Sequence, residues 1–78
     1  MDDQQELSYG QKAVGVRFNP SENPWVTTLK KQYAATIDIL NEQREASNNP
    51  EVKRQLSIAI TETQTAQMWA VKAMTWQY

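Results

Sequence analysis

The chain of 78 residues contains no cysteine and no histidine. Disulfides are therefore excluded, and the usual zinc ligand sets cannot be assembled. The same absences remove the Cys–His pair and the Ser–His–acid triad as means of activating a nucleophile. Ser57 falls within a long helical pattern, whereas Ser8, Ser21 and Ser47 lie near chain bends, and none has an evident base. Asp38, Glu42 and Glu45 read as a solvated helix face, and their spacing is too sparse for an all-carboxylate metal site. These gaps point away from an enzyme, and no cofactor is implied. No apolar run approaches the length of a membrane span, and the opening MDDQQEL is too acidic for a signal peptide. The expectation is a cytoplasmic protein without a membrane partner. A net charge of −1, with eight basic residues scattered among nine acids, argues against duplex DNA or RNA. A small anion, which needs only one or two cations, stays open.

What is present is helical. From Asn49 to Trp76 there is no Gly, and no Pro after Pro50. Asn49 is a good N-cap, Pro50 suits the first helical position, and Glu51 meets the positive end of the helix dipole. Such a helix runs roughly 40 Å at about 1.5 Å per residue. Asn23–Pro24 repeats the device and predicts a first long helix over 24–46, with Val26, Leu29, Tyr33, Ile37 and Leu40 as its apolar stripe and Ile39 off it. Glu42 to Glu45, Arg44 included, read as a solvated end. The connector Ser47–Asn49 is short enough that the second long helix, over 49–76, must turn back. Residues 1–23 form an arm and turn: Met1–Leu7 is expected to fray or to form a short helical turn, and the glycines at 10 and 15 argue against helix in Ser8–Phe18. There the alternation Val14, Val16, Phe18 predicts an extended strand-like arm. The spacing of those glycines resembles a phosphate-binding loop, but Val16 and Arg17 stand where Lys and a hydroxyl residue are needed. The fold class is all-α: a single domain over 1–78, an antiparallel hairpin of two long helices with a short N-terminal arm.

A chain this small usually needs a staple, and oligomerisation is the one its composition allows. On the second long helix, Val52, Leu56, Ala59, Thr63, Ala66, Ala70 and Ala73 form one stripe, broadened by Ile60 and Met74, for the first helix to cover. Ile58, Thr65, Trp69, Lys72 and Trp76 form a second at roughly heptad spacing. That face either folds back onto the arm or meets another subunit, and a homo-oligomer is the favoured expectation.

Binding ingredients are also present. An aromatic on an ordered turn can stack a base, and a neighbouring Lys or Arg can meet a phosphate. Phe18 and Tyr9 are the candidate stackers. Lys30 and Lys31, early in the first long helix, and Arg54 with Lys53, early in the second, are the candidate cations.

The segments AVGVRFNPSENPWVTTLK, IDIL and VKRQLSIAITETQTAQMWAVKAMTW, taken in this order, resemble the hairpin domain of a phage anti-CBASS family of cyclic-oligonucleotide sponges. The hairpin name is shared with an anti-Thoeris sponge, and the resemblance covers residues 13 to 76. It implies a helical subunit that assembles as a hexamer. Cyclic dinucleotides would lie between subunits and cyclic trinucleotides at separate sites, held without cleavage so that the bacterial effector is never switched on. The family's base-stacking aromatic matches Phe18, with Tyr9 second. Its phosphate cation matches Lys30, which follows Leu29, with Lys31 beside it in the same role. Its basic residue on the second helix matches Arg54, ahead of Leu56–Ser57. The exposed Trp69–Trp76 stripe supports a different reading, a helical adaptor for a host protein. A nuclease or phosphodiesterase is a distant third.

Overall fold

The computed structural model describes residues 6–78. These residues form three helices: α1 (Tyr9–Val14), α2 (Pro24–Ala46) and α3 (Pro50–Met74). Of the start expected over Met1–Leu7 to fray or form a short helical turn, residues 1–5 lie outside the described residues. Both long helices open on the Asn–Pro device. Asn23 Oδ1 accepts the Trp25 N–H at 2.9 Å, and Asn49 Oδ1 accepts those of Glu51 and Val52 at 2.9 and 3.3 Å. Asn23 Nδ2 donates to the Met74 carbonyl at 3.5 Å, which sets the start of α2 beside the end of α3 and makes the pair an antiparallel hairpin.

The extended arm expected over Ser8–Phe18 is instead a helix followed by a turn. A capping box starts α1: Ser8 Oγ accepts the Gln11 N–H at 3.1 Å, while Gln11 Oε1 accepts the Ser8 N–H at 2.8 Å. Gly15, left-handed at φ 62°, ends it. The two glycines serve this helix rather than prevent it, because Gly10 is buried where α1 meets α2 and a side chain there would strike the Ala34 carbonyl. Phe18 does not continue the apolar edge of Val14 and Val16, being 71% exposed.

The core is small: Val14 and Val16 from the α1 segment, Ala34 and Ile37 from α2, and Ile60 from α3. The α2 stripe packs as its spacing predicts, with Ile39 outside it. On α3 the expected stripe is covered in part: Leu56, Ala59, Thr63 and Ala70 are half-buried. Ile60 and Gln67 are buried, whereas Ala66 and Ala73 are exposed. Ile60, which broadened the expected stripe, offers more area to bury than any alanine; Gln67 lies outside that stripe. At its far end α3 stops at Met74, two residues short of Trp76.

The chain measures 45 × 37 × 12 Å, a slab little thicker than one helix. Its accessible surface of 5745 Å² exceeds the about 4,900 Å² that size scaling gives for a compact chain of 9.0 kDa. Large apolar side chains are among the exposed ones. Trp25, Trp69 and Trp76 are 68%, 65% and 60% exposed, so neither tryptophan of the second α3 stripe folds back onto the arm.

Candidate functional site

The five candidate residues fall into two groups at opposite ends of the hairpin. At the end where α2 begins and α3 finishes, the turn after α1 displays Phe18. That turn is tied to α2 by Asn19, whose Nδ2 donates to the Asn23 carbonyl at 2.8 Å and to Thr27 Oγ1 at 3.0 Å. Phe18 forms one wall of a cleft of about 180 Å³ that Asn19, Val26, Lys30, Val71 and Thr75 complete. Pockets for whole drug-sized ligands run from about 300 to 1,000 Å³. This cleft therefore suits one ring-sized group, and a larger ligand would need a further wall.

Lys30 is 5% exposed, so its position differs from that of a solvated cation. Its ammonium donates to the Gly15 carbonyl at 3.1 Å and to the Phe18 carbonyl, and it lies 5.5 Å from the centroid of the Phe18 ring. Burial holds its pKa below the ordinary lysine range. Lys31, next in the chain, is exposed.

At the other end, Tyr9 starts α1 and packs beside the second half of α2. The Arg44 guanidinium stands 5.6 Å from its ring centroid. Arg44 is half-buried and is no part of a solvated helix end: Nη1 donates to Ser57 Oγ at 3.0 Å and Nη2 to Asn41 Oδ1 at 2.8 Å, binding α1, α2 and α3 together. Its signal was the step from Ile37 and Leu40 to Arg44, which prolongs the apolar stripe of α2 by one turn. Asp38 also leaves the solvated face assigned to it, because its Oδ1 accepts the Gly10 N–H at 2.6 Å.

Arg54 lies one turn ahead of Ser57 on α3. Its Nε and Nη2 both donate to the Glu51 carboxylate, at 2.9 and 2.7 Å, on an open surface. The Arg54 bond, followed by one from Gln55, pulls the Glu51 carboxyl below the usual range, and Glu51 raises Arg54 in turn. A phosphate arriving at Arg54 must therefore compete with Glu51. Val71, which faces Lys30 across the cleft, stands about 25 Å along α3 from Arg54 at ~1.5 Å per residue. The two phosphates of a cyclic dinucleotide share one ring far shorter than that span. Lys30 and Arg54 of one chain are thus too far apart to meet the same cyclic dinucleotide.

A third feature sits on the outer face of α3. The Lys72 ammonium lies 5.1 Å from the Trp69 ring centroid and 5.8 Å from that of Trp76, between two exposed indoles. Among the described residues no cluster of three or more acids could hold a metal ion, and no helix is long and apolar enough to cross a membrane.

Compared with known families, residues 11–75 match the model of the "Acb2/Tad1, hairpin domain". No curated protein and no solved structure matches the chain.

Proposed function

Because the chain belongs to the Acb2/Tad1 hairpin family of anti-CBASS and anti-Thoeris sponges, we propose that it binds and sequesters cyclic dinucleotide second messengers, and cyclic trinucleotides at separate positions, without cleaving them. The family sets the broad activity, phage anti-defence by capture of cyclic nucleotides. The observation that carries the finer reading is Phe18, a largely open ring on a braced turn over a ring-sized cleft. A base stacks on Phe18, and Lys30 with the exposed Lys31 supplies positive charge at that end. Tyr9 and Arg54 belong to the second position. A neighbouring copy supplies the missing wall, in a hexamer formed in the cytoplasm of the infected cell.

Titration calorimetry against a panel of cyclic di- and trinucleotides tests this reading, followed by denaturation and chromatography of the recovered ligand. Binding with intact ligand is the expected result; no heat from any member, or recovery of linear product, overturns it. Phe18→Ala should weaken cyclic dinucleotide binding about 5- to 150-fold, the equivalent of one stacked base at about 1–3 kcal/mol. Unchanged affinity in that variant would remove Phe18 from the site.

The exposed Trp69 and Trp76 also support the adaptor reading, in which they meet a host protein. Sedimentation separates the two. The sponge requires a stable assembly of copies that Trp69→Glu breaks into slower species, because a carboxylate in an apolar interface has no partner there. A monomer whose sedimentation ignores that substitution favours the adaptor.

A further inference from the structure

We infer that Arg44, with Ser57 and the exposed ring of Tyr9, forms a contact site for a nucleotide phosphate near the α2–α3 connection. This site rests on the reading of the second position, which already holds Tyr9 and Arg54. A guanidinium has five N–H groups. Arg44 spends one on Ser57 Oγ and one on Asn41 Oδ1, both neutral acceptors, which leaves three to offer. Those two bonds, and the Tyr9 ring 5.6 Å away, hold the fork in one geometry before any ligand arrives. Among the described residues the one ion pair joins Arg54 to Glu51, and no carboxylate neutralises Arg44. A half-buried charge without an opposite charge is costly, and a neutral side chain could tie the same helices. The charge is therefore surplus to the strut and is there to meet an incoming anion.

The neighbours supply the rest of a nucleotide's chemistry. Tyr9 is 46% exposed, which leaves ring surface on which a base can stack. Arg54 stands three residues from Ser57 on the same side of α3, about 4.5 Å along the axis at ~1.5 Å per residue. Lys53 brings a further ammonium, which donates to the Arg44 carbonyl at 2.9 Å. Two phosphates of one cyclic oligonucleotide can thus reach Arg44 and Arg54 together.

Titration calorimetry of the full chain with cyclic tri-AMP tests the site, and cyclic GMP–AMP at the Phe18 end serves as the control. Arg44→Met keeps an apolar stem without the charge. It should weaken cyclic tri-AMP binding about 10- to 150-fold, the range for one hydrogen bond to a charged group. Arg44→Lys keeps the charge but not the fork, and its affinity should fall between those of wild type and Arg44→Met. In both variants the affinity for cyclic GMP–AMP should stay within about twofold of wild type, as for a distant and independent site in a folded hairpin. Unchanged cyclic tri-AMP affinity in Arg44→Met, or equal losses for both nucleotides, would overturn the assignment. Should the wild-type protein bind no cyclic trinucleotide, that part of the sponge reading fails, and adenosine 5′-monophosphate decides the role of Arg44 alone. The Arg44 Nε–H resonance then shifts on titration if the site exists, and stays in place if it does not.

Discussion

Gly10→Ala is expected to cost about 2.5 kcal/mol or more and to lift α1 off the hairpin. A Cβ at Gly10 would stand 2.0 Å from the Ala34 carbonyl oxygen, 2.8 Å from its carbon and 2.8 Å from Asp38 Oδ1. The obstacle is backbone in the middle of a 23-residue helix, so it cannot swing aside as a flexible side chain could. Overpacking alone typically costs about 1–3 kcal/mol. Retreat of α1 would also break the Gly10–Asp38 hydrogen bond, whose acceptor is charged and which is worth about 1.5–3 kcal/mol. The sign is diagnostic. In a free helix the same change would stabilise by about 1 kcal/mol, because alanine is the better helix former. Urea unfolding followed by circular dichroism measures it. A midpoint that rises would mean that α1 does not dock as described.

The second large effect is expected at Ile37. It is 0% exposed, and it shares a core with residues of α1 and α3. Truncating a buried isoleucine to alanine costs about 2–5 kcal/mol. A chain this short holds roughly 4–12 kcal/mol in total, from about 0.05–0.15 kcal/mol per residue. Ile37→Ala should thus lower the melting midpoint by at least about 8 °C, at roughly 4–8 °C per kcal/mol for a domain of this size. A ligand that binds only folded protein should restore about 2.7 kcal/mol at a concentration of about one hundred times its dissociation constant. Scanning calorimetry with and without cyclic dinucleotide reads both quantities. A midpoint that stays put would show that the packing around Ile37 collapses to fill the hole.

The two long helices were legible because their signals are local. Asn–Pro at each start and the stripe from Val26 to Leu40 are written in consecutive residues. Helix α1 was not, although Ser8 and Gln11 stand at capping-box spacing. Two glycines in a short segment argued against a helix, and the reason they are tolerated lies elsewhere, in the close approach of Ala34 and in a left-handed cap. On α3 the expected stripe is covered in part: Ile60 is buried as expected, but Ala66 and Ala73 are exposed and Gln67, outside the stripe, is buried, because a polar residue gives no sign in sequence that it will be covered. Among the site residues, the sequence could bring Phe18 and Lys30 forward as types. It held no sign that Lys30 turns toward the carbonyls of Gly15 and Phe18, since a backbone acceptor leaves no mark in side-chain identity.

The 12 Å thickness of the slab has a thermal consequence. The curvature of stability with temperature comes from apolar surface exposed on unfolding, about 12–15 cal/mol/K per residue in an ordinary globular domain. A layer this thin hides less such surface than a rounder chain of equal length. A lone subunit accordingly has a flat stability curve, never high at its crest and slow to fail in the cold. Were copies to pack along the tryptophan face, as proposed above, the seam would supply the missing heat capacity, and with it the steeper dome of a conventional core.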